Sequence, residues 1–336
     1  MNTNWKGKHG PLLLAEIGGN HEGNFDYAKK LTQLAIESDV DFIKFQLYSG
    51  DTLVSRLESP TRNQHFKKFE LSRDKYIELA KMCQAAGVGF MASVWDVEYL
   101  DWIDEYMPIY KIGSGDLTAY PVLKATVKKR KPIILSTGLS TLEEVVGAVE
   151  YIQSLDDLYN DPNYLAVLQC TSMYPIPYED ANLSVMQTIR TVTGLPVGYS
   201  DHTEGSKALE IAVAMGAQIL EFHFTDSREG KAFRDHKVSL TRDEVHQLIK
   251  DIKNIQALKG HPLKRPLAIE GDHPSSFRRA VYPIMDIPAG TIIKEEHLTT
   301  LRPNHGIDAR DYDKLIGKKT SKALKAHERL EWAYFD

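Results

Sequence analysis

Two histidines in this chain stand where a metal could be held. His202 follows the short apolar run 196–200, PVGYS, after Asp201, and His223 lies in the run 219–224, ILEFHF. A helix-like segment separates the two runs. Parallel strands joined by one right-handed crossover lie side by side. The two imidazoles then emerge at one edge of one sheet, where they can ligate a divalent cation. The alternative, one histidine capping a helix and the other packed in a core, accounts for each singly but not for their matched placement among acidic residues. Two lysines add a second chemistry. Lys44 lies in DFIKFQ (41–46) and Lys111 in IYKIGS (109–114), both inside apolar strand-like runs. A lysine in a closed sheet has no edge to escape to and must reach the mouth or find an anion. With hydroxyls at neighbouring run ends, such lysines suit phosphate and carboxylate. A cation on the histidines would then activate a carbonyl as a Lewis acid.

The elements that must position these groups alternate regularly. Strand-like runs are expected at 12–18, 41–46, 89–94, 109–114, 133–137, 165–170, 196–200 and 219–224. Helical spacing follows each, beginning at Phe25–Ser38 and ending at Arg242–Leu258. Eight such repeats over about 250 residues predict an α/β fold, a (β/α)8 TIM barrel. An open doubly wound sheet is the rival, but the loop Gly18-Gly19-Asn20-His21-Glu22-Gly23 lacks the G-x-G-x-x-G spacing of its nucleotide turn. One long polar stretch, Tyr48 to Ser72, breaks the rhythm and reads as a lid or binding loop. Catalytic groups of a barrel project from the C-terminal strand ends. The candidates there are Glu22, Lys44, Gln46, Ser93, Lys111, Ser114, Ser136, Thr171, Ser172, Tyr174, His202 and His223.

The domains expected are a barrel over 1–258, a linker over 259–275 with three prolines and two glycines, and a small β-rich module over 276–336. In the module, β-like runs are expected at 280–284, 287–293 and 297–301. A net charge of −5 and a pI near 6.2 give no electrostatic footprint for nucleic acid. No apolar run approaches the roughly 20 residues that span a bilayer. The first ten residues, MNTNWKGKHG, lack the apolar core of a signal peptide, so a cytoplasmic location is expected. Cys83 and Cys170, the only cysteines, suggest buried thiols rather than a disulfide framework.

Seven segments together resemble the sialic acid synthases: AEIGGNHEG (15–23), IKFQ (43–46), YKIGSGD (110–116), PIILSTG (132–138), CTSMYP (170–175), GYSDHT (198–203) and LEFHFT (220–225). The tail resembles that family's antifreeze-like SAF domain through 287–303 and 315–319. The resemblance implies a cytoplasmic transferase that condenses phosphoenolpyruvate with an N-acetylated hexosamine such as N-acetylmannosamine, in the biosynthesis of nonulosonic acids for cell-surface polysaccharide. It implies that His202 and His223 ligate Mn²⁺ or Mg²⁺, and that Lys44, Ser93, Lys111, Ser114, Ser136 and Ser200 bind phosphoenolpyruvate. It implies Glu22 as the acidic residue beside metal and aldehyde, and Gln46, Tyr174 and Asp235 as sugar contacts. Arg302 is implied to reach the site of a partner subunit in a domain-swapped homodimer. The reaction implied is attack of the phosphoenolpyruvate methylene carbon on the sugar aldehyde, addition of water to the enol carbon, and loss of phosphate by C–O cleavage. The chain departs from the family pattern at Asp116, where glutamate is usual, at Met91–Asp96, and at Phe233-Arg234, which replaces Gly-Pro beside the sugar contact Asp235. A 3-deoxy-ulosonate synthase using a phosphorylated aldose, a metal-dependent barrel hydrolase and a non-catalytic sugar-binding barrel are the competing readings. The hydrolase lacks an early His-x-His, and the β-rich tail counts against the ulosonate synthase.

Overall fold

The structure, a computed structural model, describes residues 5–336. The first four residues, part of the N-terminal stretch read for a signal peptide, lie outside the described residues. The chain divides into two compact units, 1–260 and 261–336.

The first unit is the expected barrel. Its strands are β1 (Gly10–Glu16), β2 (Phe42–Leu47), β3 (Gly89–Val94), β4 (Tyr110–Ile112), β5 (Ile133–Ser136), β6 (Leu165–Cys170), β7 (Val197–Asp201) and β8 (Ile219–His223). Each pairs in parallel with the next, and β8 returns to β1, with Glu16 opposite His223. The closed sheet therefore has no free edge. A short antiparallel strand, Lys6–Gly7, leads into β1.

Strand alternation sorts the residues into two cores. Leu13, Ile43, Phe45, Leu135, Val167, Leu220 and Phe222 point outward and pack against the helices. Leu14, Met91, Ile109, Ile134, Leu168 and Ile219 point inward and, with Trp5, fill the lower barrel. Two residues further along each strand the inward positions turn polar: Glu16, Ser93, Lys111, Ser136, Cys170 and Glu221. This is one layer of a layered barrel interior. At Gly198 a side chain would meet the Ile219 carbonyl oxygen at 2.3 Å, so β7 and β8 approach closely just beneath that layer.

The outer helices are α1 (Phe25–Glu37), α4 (Arg73–Ala85), α6 (Tyr120–Val127), α7 (Leu142–Leu155), α8 (Val185–Thr193), α9 (Lys207–Ala214) and α10 (Arg242–Lys259). Their starts follow ordinary capping chemistry: Asn24 accepts from the Tyr27 amide, and Thr141 with Glu144 forms a capping box. The segment after β3 is less regular than expected, a one-turn α5 (Leu100–Ile103) between two 3₁₀ turns. The 48–72 stretch also differs from a loop. It contains α2 (Gly50–Leu53) and α3 (Pro60–Phe69). Pro60 stands in the first turn of α3, where its missing N–H costs nothing. Asn63 donates to the Gly50 and Val54 carbonyls and ties the two helices together. No helix among the described residues is long and apolar enough to cross a membrane.

The second unit begins with α11 (His273–Phe277) and has its own core of Val281, Ile287, Ile293, Leu298, Ile307, Leu315, Leu324 and Leu330. Strands β9 (Ala280–Pro283) and β10 (Leu298–Leu301) pair antiparallel. The run 287–293, expected as a strand, makes only isolated bridges, from Ile287 to Leu324 and from Ile292 to Lys319. Pro288 cannot donate and Gly290 turns the chain at φ +81°, which breaks the ladder.

Candidate active site

The polar layer of the barrel opens into a cavity of about 1070 Å³ at the C-terminal strand ends. Its floor is a buried charge network. The Lys44 Nζ donates to Glu16 Oε2 at 2.5 Å, and Gln46 Nε2 donates to Glu16 Oε1 at 2.7 Å. Lys111 Nζ donates to Ser136 Oγ at 2.6 Å and to the Ile112 carbonyl at 3.2 Å. Glu221 lies between the two lysines. Its Oε1 is 3.7 Å from Lys44 and accepts from Ser200 Oγ at 3.2 Å. Its Oε2 is buried, makes no hydrogen bond among the described residues, and faces Lys111 Nζ at 3.4 Å.

Burial and pairing oppose each other in this network. At Lys111 burial prevails over Glu221 and lowers the ammonium's pKa. At Lys44 burial is outweighed by Glu16 and Glu221, so its charge is held more firmly. Burial raises Glu16. At Glu221 burial is overcome by Lys111, Lys44 and His202, which keep it ionised. The lysines expected to seek an anion have found two within the chain. A ligand anion must therefore share or displace Glu16 and Glu221.

Above this floor stand the two histidines, ring centroids 5.3 Å apart, with Tyr174 packed on His202 at 4.0 Å and edge-on to His223 at 5.4 Å. His202 Nδ1 lies 2.7 Å from the Thr171 carbonyl, to which it donates, so Nε2 keeps its lone pair in the neutral ring. Burial, then the neighbouring His202, holds His223 well below its usual pKa, and among the described residues its buried Nδ1 makes no hydrogen bond, with Asp235 Oδ2 3.9 Å away. For His202 burial is outweighed by Cys170 in its thiolate form, with Sγ 3.8 Å from Nδ1, and its pKa rises to about 9. These two rings fit a divalent cation that leaves most positions to water and substrate. Among the described residues no group of three or more His, Cys, Asp or Glu side chains is placed to hold one. Binding there would expel the His202 proton.

Residues 31–264 match the NeuB family, and residues 278–335 match the SAF domain. The chain belongs to the NeuB family. It is 34% identical to the N,N'-diacetyllegionaminic acid synthase of Legionella pneumophila over 97% of this chain and 94% of that one. It is 33% identical to the N-acetylneuraminate-9-phosphate synthase of Mus musculus over 93% of this chain and 89% of that one. The crystal structure of an N-acetylneuraminic acid (sialic acid) synthetase from Leptospira borgpetersenii superposes with a TM-score of 0.71 at 30% identity, covering 78% of this chain and 89% of that one. The protein is thus an enzyme of the synthase kind, a C–C bond-forming transferase.

In this NeuB-family barrel the cavity gathers most of the expected residues: Lys44, Gln46, Ser93, Lys111, Ser114, Ser136, Tyr174, Ser200, His202, His223 and Asp235 all line it. Ser114 also accepts from the Gly138 amide at 3.0 Å. A side chain at Gly138 would meet Ser172 Oγ at 2.1 Å, so backbone and hydroxyls crowd at this end of the cavity. Glu22 is not brought to the cavity wall. It sits at φ 50° in the loop after β1, and its carboxylate lies 3.3 Å from His236 Nε2. Arg302 belongs to the second unit, its guanidinium over the Phe277 ring at 5.4 Å.

The structure also adds residues that sequence reasoning passed over. Glu16 and Glu221 are the buried carboxylates of the floor. The parity of β8 carried a signal for the second, since Glu221 and His223 are two apart and share the inward face. Arg62, His65 and Phe66 of α3 line the cavity, as do Trp95 and Arg234, which the sequence marked only as departures from the family pattern. Asp116 lines it too, its carboxyl pushed up to about 6 by burial against the opposing pull of Lys111.

Proposed function

We propose that the barrel condenses phosphoenolpyruvate with the open-chain form of an N-acetylated hexosamine, giving a sialic-acid-like nonulosonic acid and phosphate. The observation that carries this reading is the single polar layer in which two buried ammonium groups and hydroxyls of Ser93, Ser136 and Ser200 lie beneath two imidazoles. Phosphate and carboxylate of phosphoenolpyruvate are held by Lys44, Lys111 and the serine hydroxyls, which supply positioning and fixed positive potential. Glu221, ionised between the lysines, favours the charged form of both, outweighing burial at Lys44 but not at Lys111. The enol carbon faces the acceptor aldehyde near His202 and His223. Mn²⁺ or Mg²⁺ on these two imidazoles would supply Lewis-acid polarisation of that carbonyl. The methylene carbon bonds to the aldehyde carbon, and water adds to the former enol carbon. Cleavage of the C–O bond then releases phosphate, which takes up the proton of the new hydroxyl as that carbon becomes a ketone. The proton lost by the water matches the one gained by the aldehyde oxygen, and the cavity carboxylates are placed to relay it. Gln46, Tyr174 and Asp235 contact the acceptor.

Phosphate release with phosphoenolpyruvate and a panel of aldoses, with the product read by mass spectrometry, tests the reaction. The panel holds N-acetylmannosamine, its 6-phosphate and a diacetamido-trideoxyhexose, and silence with all three refutes the reading. Chelator should abolish turnover and Mn²⁺ restore it, whereas full activity in a metal-free sample would sink the metal assignment. The assignment of Arg302 to the site of a partner subunit is tested with mixed dimers of Arg302→Ala and His202→Ala. Activity returns if Arg302 acts in trans, because one site then carries neither lesion. A verified mixed dimer that stays dead refutes the exchange.

A further inference from the structure

The cavity carries positive charge of a second kind, away from its floor. Arg62 of α3 and Arg234 of the loop after β8 both line it. The Arg62 guanidinium lies over the Phe66 ring at 5.6 Å and, among the described residues, has no carboxylate partner and no hydrogen bond. Among the described residues Arg234 uses only its Nε, 3.3 Å from Asp235 Oδ1, so both terminal amino groups are without a partner there, on a side chain that is 66% exposed. Its guanidinium sits over the Tyr174 ring at 4.6 Å, and the same ring packs on His202 at 4.0 Å. The fork therefore faces the cavity one ring away from the histidine pair, within the reach of an open-chain hexose.

Both neighbours of Arg234 are anchored. Phe233 packs on Phe69 at 4.8 Å and lies over Gly19, where a side chain would meet its ring at 3.0 Å. Asp235 is buried. The backbone on either side of the arginine is thus fixed while its donors remain free. The floor lysines are already matched by Glu16 and Glu221; on the wall Arg62 has no carboxylate partner among the described residues, and Arg234 pairs with Asp235 through its Nε alone. Of the cavity's other carboxyls, Asp235 reaches Arg234 only at its Nε and also faces His223 Nδ1 at 3.9 Å, and the burial that raises Asp116 weakens its claim as a counter-ion.

We propose that Arg234, assisted by Arg62, forms a subsite for an anionic group on the acceptor at the end remote from its carbonyl. The acceptor is then an acidic aldose, bearing a phosphate monoester or a carboxylate, rather than a neutral one. A guanidinium fork matches either anion with two parallel hydrogen bonds. This rests on the reading above, in which the acceptor carbonyl lies at the histidine pair. Its structural rival is an arginine that merely covers Tyr174.

The test compares kcat/KM for an N-acetylhexosamine, its 6-phosphate and the corresponding uronate, each with saturating phosphoenolpyruvate. The wild type should prefer an anionic acceptor, and the two anionic arms tell phosphate from carboxylate. In Arg234→Ala the ratio of anionic to neutral acceptor should fall about tenfold or more, the scale of a lost charge-assisted hydrogen bond. Arg234→Lys should restore part of that ratio, and Arg234→Glu should invert it. A wild type that prefers the neutral sugar overturns the subsite, as does an Arg234→Ala variant that loses all acceptors alike. Calorimetric binding of the same three sugars separates this from the synthase reading. If no acceptor releases phosphate, the synthase reading falls. The subsite then stands if the 6-phosphate or the uronate binds wild type more tightly than Arg234→Ala, and falls if both bind the two equally.

Discussion

The floor and the upper wall of the cavity hold similar charges in opposite circumstances. On the floor Lys44 and Lys111 are each 3% exposed and locked to Glu16, Glu221 and Ser136. On the wall Arg62 and Arg234 are exposed and keep most of their donors free. Taking charge out of water costs several kcal/mol per ion unless geometry and hydrogen bonds repay it. The floor repays it with internal counter-ions and so arrives pre-organised. The wall incurs little cost and leaves its cations available. The difference teaches that a single cavity can hold one anion site built into the fold and another that exists chiefly for a ligand.

Removing a floor cation should break the comparison most visibly. Lys111→Ala leaves Glu221 Oε2 facing no cation at close range. Phosphoenolpyruvate kcat/KM should fall by a factor on the order of 10²–10³ through loss of a desolvated charge pair. Folding stability should fall by about 3–5 kcal/mol, as for other broken buried pairs. Steady-state kinetics with varied phosphoenolpyruvate and urea unfolding measure the two effects. An unchanged KM for phosphoenolpyruvate together with an unchanged unfolding midpoint would reject the role given to the floor.

A buried group without a counter-ion sharpens the contrast through pH. His21, in the loop after β1, is buried, and its Nδ1 accepts from the Gly23 amide at 3.1 Å. Burial, with Lys75 adding to it, lowers its pKa to about 4. The unfolded chain binds this proton below about 6.5 and the folded chain only below about 4. The stability present above pH 6.5 is therefore lost as pH falls through that window, by about 3 kcal/mol. Asp116 works in the other direction. Its raised pKa makes the folded state bind a proton sooner, so its own contribution improves as pH falls from about 6 toward 4. Unfolding of wild type and His21→Gln at pH 7 and pH 4.5 isolates the histidine. An equal acid loss in both proteins would remove His21 from the account.

The barrel was legible because apolar runs and helical spacing alternate eight times, and because strand ends locate the mouth. Lys44, Lys111 and both histidines were legible as polar residues inside apolar runs. Glu16 and Glu221 were passed over as members of a motif, although strand parity sets Glu221 beside His223. The wall was harder to read. Helix α3, PTRNQHFKKF, has only two apolar residues, Phe66 and Phe69, and so shows almost no period. It is held instead by Asn63, whose amide reaches back to Gly50 and Val54, a contact that local pattern does not encode. With α3 read as a loop, Arg62 and His65 could not be placed at the cavity. Glu22 lies elsewhere than its place after a strand implied. Its place at a strand end suggested the mouth, but the loop turns at positive φ and points it to His236.

The smallest effect is expected on the wall, and it is the sharpest test of the comparison. Among the described residues the Arg62 side chain makes no ion pair and no hydrogen bond, only a cation–π contact with Phe66. Such exposed cation–π contacts are worth about 0.5–1 kcal/mol. Arg62→Ala further gains helix propensity only marginally. The net change in unfolding free energy should stay within about 0.5 kcal/mol, as for most surface substitutions. Urea unfolding of Arg62→Ala beside Lys111→Ala measures the two halves of the cavity on one scale. A loss of 2 kcal/mol or more for Arg62→Ala, comparable with the floor, would mean that the wall arginine is a structural brace. The distinction between a charge built into the fold and one left for a ligand would then fail.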